Sequence, residues 1–194
     1  MRSRFRVLPL VSACALLLGS CANDFGYGIA DLPASAGWQP LPIGAWVLND
    51  GLEARAMVFC PRDVCIRPGF AALVAFEGER GRRMEQALSE DPAQLARAFA
   101  RLAAEKSAER AAERQRAGRK PLPPAPERSL TSYVRLDSPD SKGVMVTIRA
   151  KTTARQGVTA ILYGWQGDRL LVALGVSDQA EAAKQDAQAA WRSR

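Results

Sequence analysis

The chain has 194 residues, 47% of them hydrophobic, with 27 lysines and arginines against 20 acidic residues, four cysteines and no histidine. That hydrophobic fraction excludes a wholly disordered chain, and the length allows one ordinary domain with additions. The missing histidine excludes Ser-His-Asp and Cys-His nucleophile systems and removes the commonest zinc and copper ligand.

Arg2, Arg4 and Arg6 precede an apolar run from Val7 to Gly19. A positive segment followed by a hydrophobic one of this length predicts a secretion signal. The run is shorter than the roughly 20 apolar residues of a spanning helix, and Pro9 interrupts it. It ends in Leu18-Gly19-Ser20-Cys21, which resembles the lipobox of bacterial lipoproteins: an aliphatic residue, two small residues and a cysteine. The resemblance implies that residues 1–20 are removed, that the Cys21 thiol carries a diacylglyceryl group, and that the new amine is usually acylated. Several acyl chains hold a protein durably where one binds only marginally. In that family aspartate after the cysteine retains the protein in the inner membrane. Ala22 stands there instead, which implies the outer membrane, facing the periplasm.

Residues 21–37 lack sustained periodicity and contain several breakers, so a lipidated N-terminus with a flexible tether is expected. From Trp38 the chain reads as strand. Trp46-Val47-Leu48 precedes the turn Asn49-Asp50-Gly51, and Leu52, Ala54, Ala56 and Val58 then alternate with more polar or bulkier neighbours. With Cys14 in the signal and Cys21 lipidated, Cys60 and Cys65 remain. An even pair in an oxidising compartment is most simply a disulfide, worth roughly 2 kcal/mol for so short a loop. A redox pair would want a C-x-x-C spacing, and a copper(I) site would recruit Met57 or Met145 beside the thiolates. The apolar run from Phe70 to Phe76 fits either a strand or a buried helical turn.

Asp91-Pro92 predicts a helix start, with Asp91 as N-cap and proline in the first turn. Leu95, Phe99 and Leu102 form a short apolar stripe that fades after Ala103. Residues 84–127 are expected to be an inserted helical arm, stopped at Gly118 and followed by a Pro-rich linker. Within it, residues 101–120 hold seven basic side chains, Arg101, Lys106, Arg110, Arg114, Arg116, Arg119 and Lys120, against three acidic ones. Either the helix is solvated and laced with ion pairs, or it contacts anionic head groups, cell-wall polymer or an acidic partner.

Leu130–Leu136 and Val144–Ala150 alternate as strands around a loop at 137–143, and Gly157–Trp165 and Arg169–Val176 around Gln166-Gly167-Asp168. Asp178 and Glu181 read as a capping box opening a last helix to about Trp191, with Ala180, Ala183, Ala187 and Trp191 on one face. These elements predict a single α+β domain over 38–194: an antiparallel sheet of two or more hairpins, a C-terminal helix packed on it and the inserted arm. The order of elements resembles the PsbP-like fold, whose members end in a hairpin and a helix lying across the sheet. That resemblance implies a binding or assembly role.

Searching for chemistry finds no Walker loop, and Gly26-Tyr27-Gly28 lacks a third phosphate-loop glycine. Ser138 and Lys142 miss the S-x-x-K spacing, and Asp137 and Asp140 read as turn formers beside Pro139. Trp38, Trp46, Trp165 and Trp191 suit either core packing or a groove. With the three N-terminal arginines removed, the excess charge resides wholly in residues 101–120. That argues against nucleic acid as a partner. The expectation is a non-catalytic lipoprotein without a cofactor, held to the membrane by its lipid and meeting an envelope protein or cell-wall polymer through a sheet face and the basic arm. The alternative is a thiol redox or copper-handling protein centred on Cys60 and Cys65.

Overall fold

A computed structural model describes residues 28–41, 52–119, 129–151 and 155–194. The signal segment, Cys21, Trp46, Lys120 and the Pro-rich linker lie outside them, as do the side chains of Arg101, Lys106 and Arg110. The elements are β1 (Gln39–Pro40), β2 (Leu52–Cys60), β3 (Gly69–Glu77), α1 (Gly78–Ser89), α2 (Pro92–Arg116), β4 (Ser129–Ser138), β5 (Ser141–Ala150), β6 (Gln156–Gln166), β7 (Arg169–Ser177) and α3 (Ala180–Arg192).

All seven strands form one antiparallel sheet in the order β1-β2-β3-β7-β6-β5-β4. Two meanders, β1–β3 and β4–β7, meet where β3 pairs with β7. The class is therefore α+β, with α3 packed on the sheet. Phe70–Phe76 is a strand rather than a helical turn. It lacks alternation because β3 is central: Ala71, Ala72, Leu73, Val74 and Ala75 are buried on both faces. The neighbouring β7 is buried in the same way from Leu170 to Ala173. A strand covered on both faces reads as a continuous apolar run.

One face carries α3, which lies chiefly over β7, β6 and β3. Ala183, Ala187 and Ala190 are fully buried, as the alanine stripe predicts. Gly175 makes the close approach possible, since a Cβ there would run into the Ala183 carbonyl. Trp191 closes the far end above Gly164. The other face carries α1, whose Met84 and Leu88 join Val74, Val144, Ile161, Tyr163 and Val172. Gly81 admits the Trp165 ring, and the Trp165 indole N–H donates to Glu85 at 2.7 Å.

Four local expectations change. Residues 78–89 form a helix that sequence periodicity does not announce, because only Gly81, Met84 and Leu88 mark its inner face. Gly78, at φ 53°, turns the chain into it. The hairpin loop expected at 137–143 contracts to Pro139-Asp140, with Ser138 pairing Ser141. The capping box does not form: the N-cap of α3 is Gln179, and Ser177 Oγ accepts from its amide at 3.4 Å. The tether expected over 21–37 does not hold for its described part, where Ile29 is 2% exposed within the core and Leu32 packs beside it. At α2 the expectation holds, with Asp91 accepting from the Gln94 amide at 2.9 Å and Gly118 beyond the end at φ 63°.

Candidate binding groove

The two cysteines that the sequence singles out are joined. Cys60, the last residue of β2, is bonded to Cys65 across a Cα separation of 5.8 Å. Between them the chain folds into a turn in which the Val64 and Cys65 amides donate to the Pro61 carbonyl. The loop is braced from behind by the Ala34–Ala36 turn and Gly37. Gly37 has φ 91°, and a Cβ on it would stand 2.7 Å from Cys65 Sγ and 3.1 Å from Val64 Cγ1. Only glycine meets both the backbone and the space requirement there. Met57 lies on β2 between Ala56 and Val58, which are buried under α3, so its side chain points to the opposite face from Cys60. Among the described residues no group of three or more His, Cys, Asp or Glu side chains is placed to hold a metal ion.

Beside this loop lies a half-open groove of about 810 Å³. One wall is α3, through Ala182, Asp186 and Ala189. The second is the Asp31–Trp38 segment, and the third is the disulfide loop with Arg67. The Asp31 carboxylate accepts from Arg192 Nε at 2.7 Å, tying the first wall to the second. The volume falls in the range of small-ligand sites.

Asp186 is the chemically distinctive group in the groove. Its carboxyl lies against Gly69, where a Cβ would stand 3.1 Å from Oδ2. Burial pushes it from its ordinary value of 3.8 to about 6, against the opposing pull of Arg67. No hydrogen bond or ion pair from the described residues holds it. A half-buried carboxylate answered only by a more distant guanidinium can accept from a ligand's donor without first surrendering a protein partner. Sequence reading does not select Asp186. The available sign is its spacing, four residues after Ala182 and three before Ala189 on a helix whose inner face is alanine.

The other sequence candidates fall elsewhere. The basic arm is α2, which contacts α1 and so belongs to the opposite side of the sheet from the groove. Arg116 and Arg119 are exposed at its end, and Arg114 is partly covered. Asp140 is structural: it accepts from Trp191 Nε1 at 3.4 Å, Arg194 at 2.7 Å and Ser138 Oγ at 3.2 Å. The Arg194 hydrogen bond holds its carboxyl below the ordinary value. Trp165 covers α1 and Trp191 closes the core; of the described tryptophans only Trp38 lines the groove.

No family model, no curated protein and no solved structure matches the chain. No helix among the described residues is long and apolar enough to cross a membrane.

Proposed function

We propose that the protein is a lipoprotein anchored through Cys21 to the periplasmic face of the outer membrane, with a non-catalytic binding or assembly role, and that the groove beside the disulfide is its binding surface. The carrying observation is the groove, a ligand-sized hollow on a rigid frame with a carboxylate that no described residue hydrogen-bonds. Helix α3 supplies one wall, and the disulfide holds another. Sites mounted on such elements keep their geometry better than sites on free loops. One wall of the groove, Asp31–Trp38, begins ten residues after Cys21 in the sequence, so a ligand held there would be met near the membrane. The exposed Arg116 and Arg119 of the basic arm offer an envelope polymer a separate contact on the far side of the sheet.

Two measurements test this reading. Labelled palmitate is incorporated by the wild-type chain and lost in Cys21→Ser. A photo-crosslinking residue replacing Gln185, which is exposed at the groove rim, gives discrete adducts in cells, whereas one replacing the exposed Ser132 on β4 does not. Equal labelling patterns from both positions would remove the groove from the proposal. Deletion of 101–120 with an unchanged partner list in an in-cell crosslinking pull-down would remove the arm.

A further inference from the structure

The disulfide loop has a property that groove binding does not require. Ile66 is fully exposed, at 102%, and Val64 is 57% exposed. The other exposed large hydrophobics among the described residues, Leu130, Val134, Ile148 and Trp165, lie on β4, β5 and β6. The loop projects, because the groove lies on one flank and a second hollow of about 350 Å³, lined by Pro61, Arg62 and Pro68, lies on the other. Its shape is held by the disulfide, by prolines at both ends and by the Gly37 turn behind it. A rigid apolar tip enters another phase with little loss of conformational entropy.

The position of the loop identifies the phase. Six residues separate Cys21 from Gly28, a stretch that reaches at most about 25 Å. Ile29 and Leu32 are then pinned in the cluster that contains Cys60 and Cys65, and Leu32 faces the same groove as Val64 and Ile66. The root of the anchor and the apolar tip therefore share one end of the molecule. Arg62 and Arg67 flank the tip, with Asp63 between them and Asp186 across the groove from Arg67. Guanidinium groups so placed can meet phosphate head groups, while the long arginine stems lie along the acyl boundary.

We propose that the Cys60–Cys65 loop is a second membrane contact: Val64 and Ile66 enter the interface of the bilayer that carries the lipid anchor, with Arg62 and Arg67 at head-group level. This rests on lipidation at Cys21 for its geometry. The contact fixes the tilt of the body and turns the groove toward the bilayer surface. A lipid anchor by itself leaves that orientation free.

The test uses the mature chain in its lipidated form and as the lipid-free Cys21→Ser variant, with vesicles of phosphatidylethanolamine and phosphatidylglycerol. In the lipidated protein, amide exchange at residues 62–67 slows on vesicles relative to the same residues of the lipid-free chain in buffer. For the lipid-free chain, Ile66→Asp lowers the vesicle-bound fraction about tenfold, the value of returning one such side chain to water. Leu130→Asp, on the exposed face of β4, leaves it unchanged. Because Ile66 touches nothing in the fold, its substitution leaves thermal unfolding in place. Palmitate incorporation with unchanged exchange at 62–67, and equal flotation of Ile66→Asp and wild type, overturns the proposal while the anchor stands. Ile66-dependent flotation without palmitate incorporation upholds the loop contact and overturns the anchor. Equal binding to phosphatidylcholine vesicles removes Arg62 and Arg67 from the contact.

Discussion

Replacing Asp186 by asparagine should stabilise the protein at neutral pH. In the fold the carboxyl is raised from 3.8 to about 6 by burial, so its charged form is disfavoured relative to the unfolded chain. At about 1.36 kcal/mol per pH unit, the full displacement would cost about 3 kcal/mol above pH 6. The group remains partly open to solvent, so screening lowers this to about 1–2 kcal/mol. Between about pH 4 and pH 6 the folded chain keeps a proton that the unfolded chain releases, so stability falls as pH rises through that window. Asparagine keeps the shape and removes the titration. Urea unfolding at about pH 7.5 should then show Asp186→Asn more stable by about 1–2 kcal/mol, a rise of about 3–6 °C in Tm for a chain of this size. At about pH 4.5 the difference should shrink toward zero. A variant no more stable than wild type at neutral pH, or one that keeps the slope between pH 4 and 6, would refute the reasoning. Either result would mean that Arg67 compensates the carboxylate fully.

Gly175→Ala puts a methyl group against the backbone of α3 at Ala183 and Ala187, which neither chain can yield cheaply. Denaturant unfolding should show a loss of about 3 kcal/mol. Alkylation of the non-reduced mature protein should leave Cys60 and Cys65 unmodified in an intact-mass measurement, and replacing both by serine should cost about 2 kcal/mol in urea. Asp140 is held below its ordinary value by Arg194. It therefore adds stability above about pH 4 that disappears as pH falls through its folded value, and Asp140→Asn should flatten the acid limb of the stability profile.

The legible parts of the fold were those whose cause is local. The hairpin at Gly167 needs a residue at φ 63°, the start of α2 needs a carboxylate over a free amide, and the alanine stripe of α3 records a glycine floor beneath it. The illegible parts depend on neighbours far away in sequence. β3 hides its period because helices lie over both faces of the sheet centre, and α1 carries so thin an apolar face because Trp165, more than eighty residues on, supplies the bulk that packs into Gly81. The Asp178-Glu181 pattern was a local signal that lost to the end of β7, where Ser177 already serves the first amide of the approach to α3.

The groove shows why a site can be harder to read than the fold that builds it. Its walls come from Asp31–Trp38, Cys60–Arg67 and Ser177–Arg192, three segments that meet only because β2, β3 and β7 are adjacent in the sheet. The cysteine pair carried a signal of its own, since two thiols five apart can close a disulfide across a turn. Asp186 had none stronger than its place among alanines. A charged residue at that spacing is usually at the solvent edge of a helix, and what brings it into a groove is the missing side chain of Gly69 across from it. Filling that space by Gly69→Ala would press on the Asp186 carboxyl at 3.1 Å and on the Trp38 ring at 3.2 Å. The groove therefore depends on a glycine in β3 as much as on any group that faces the ligand.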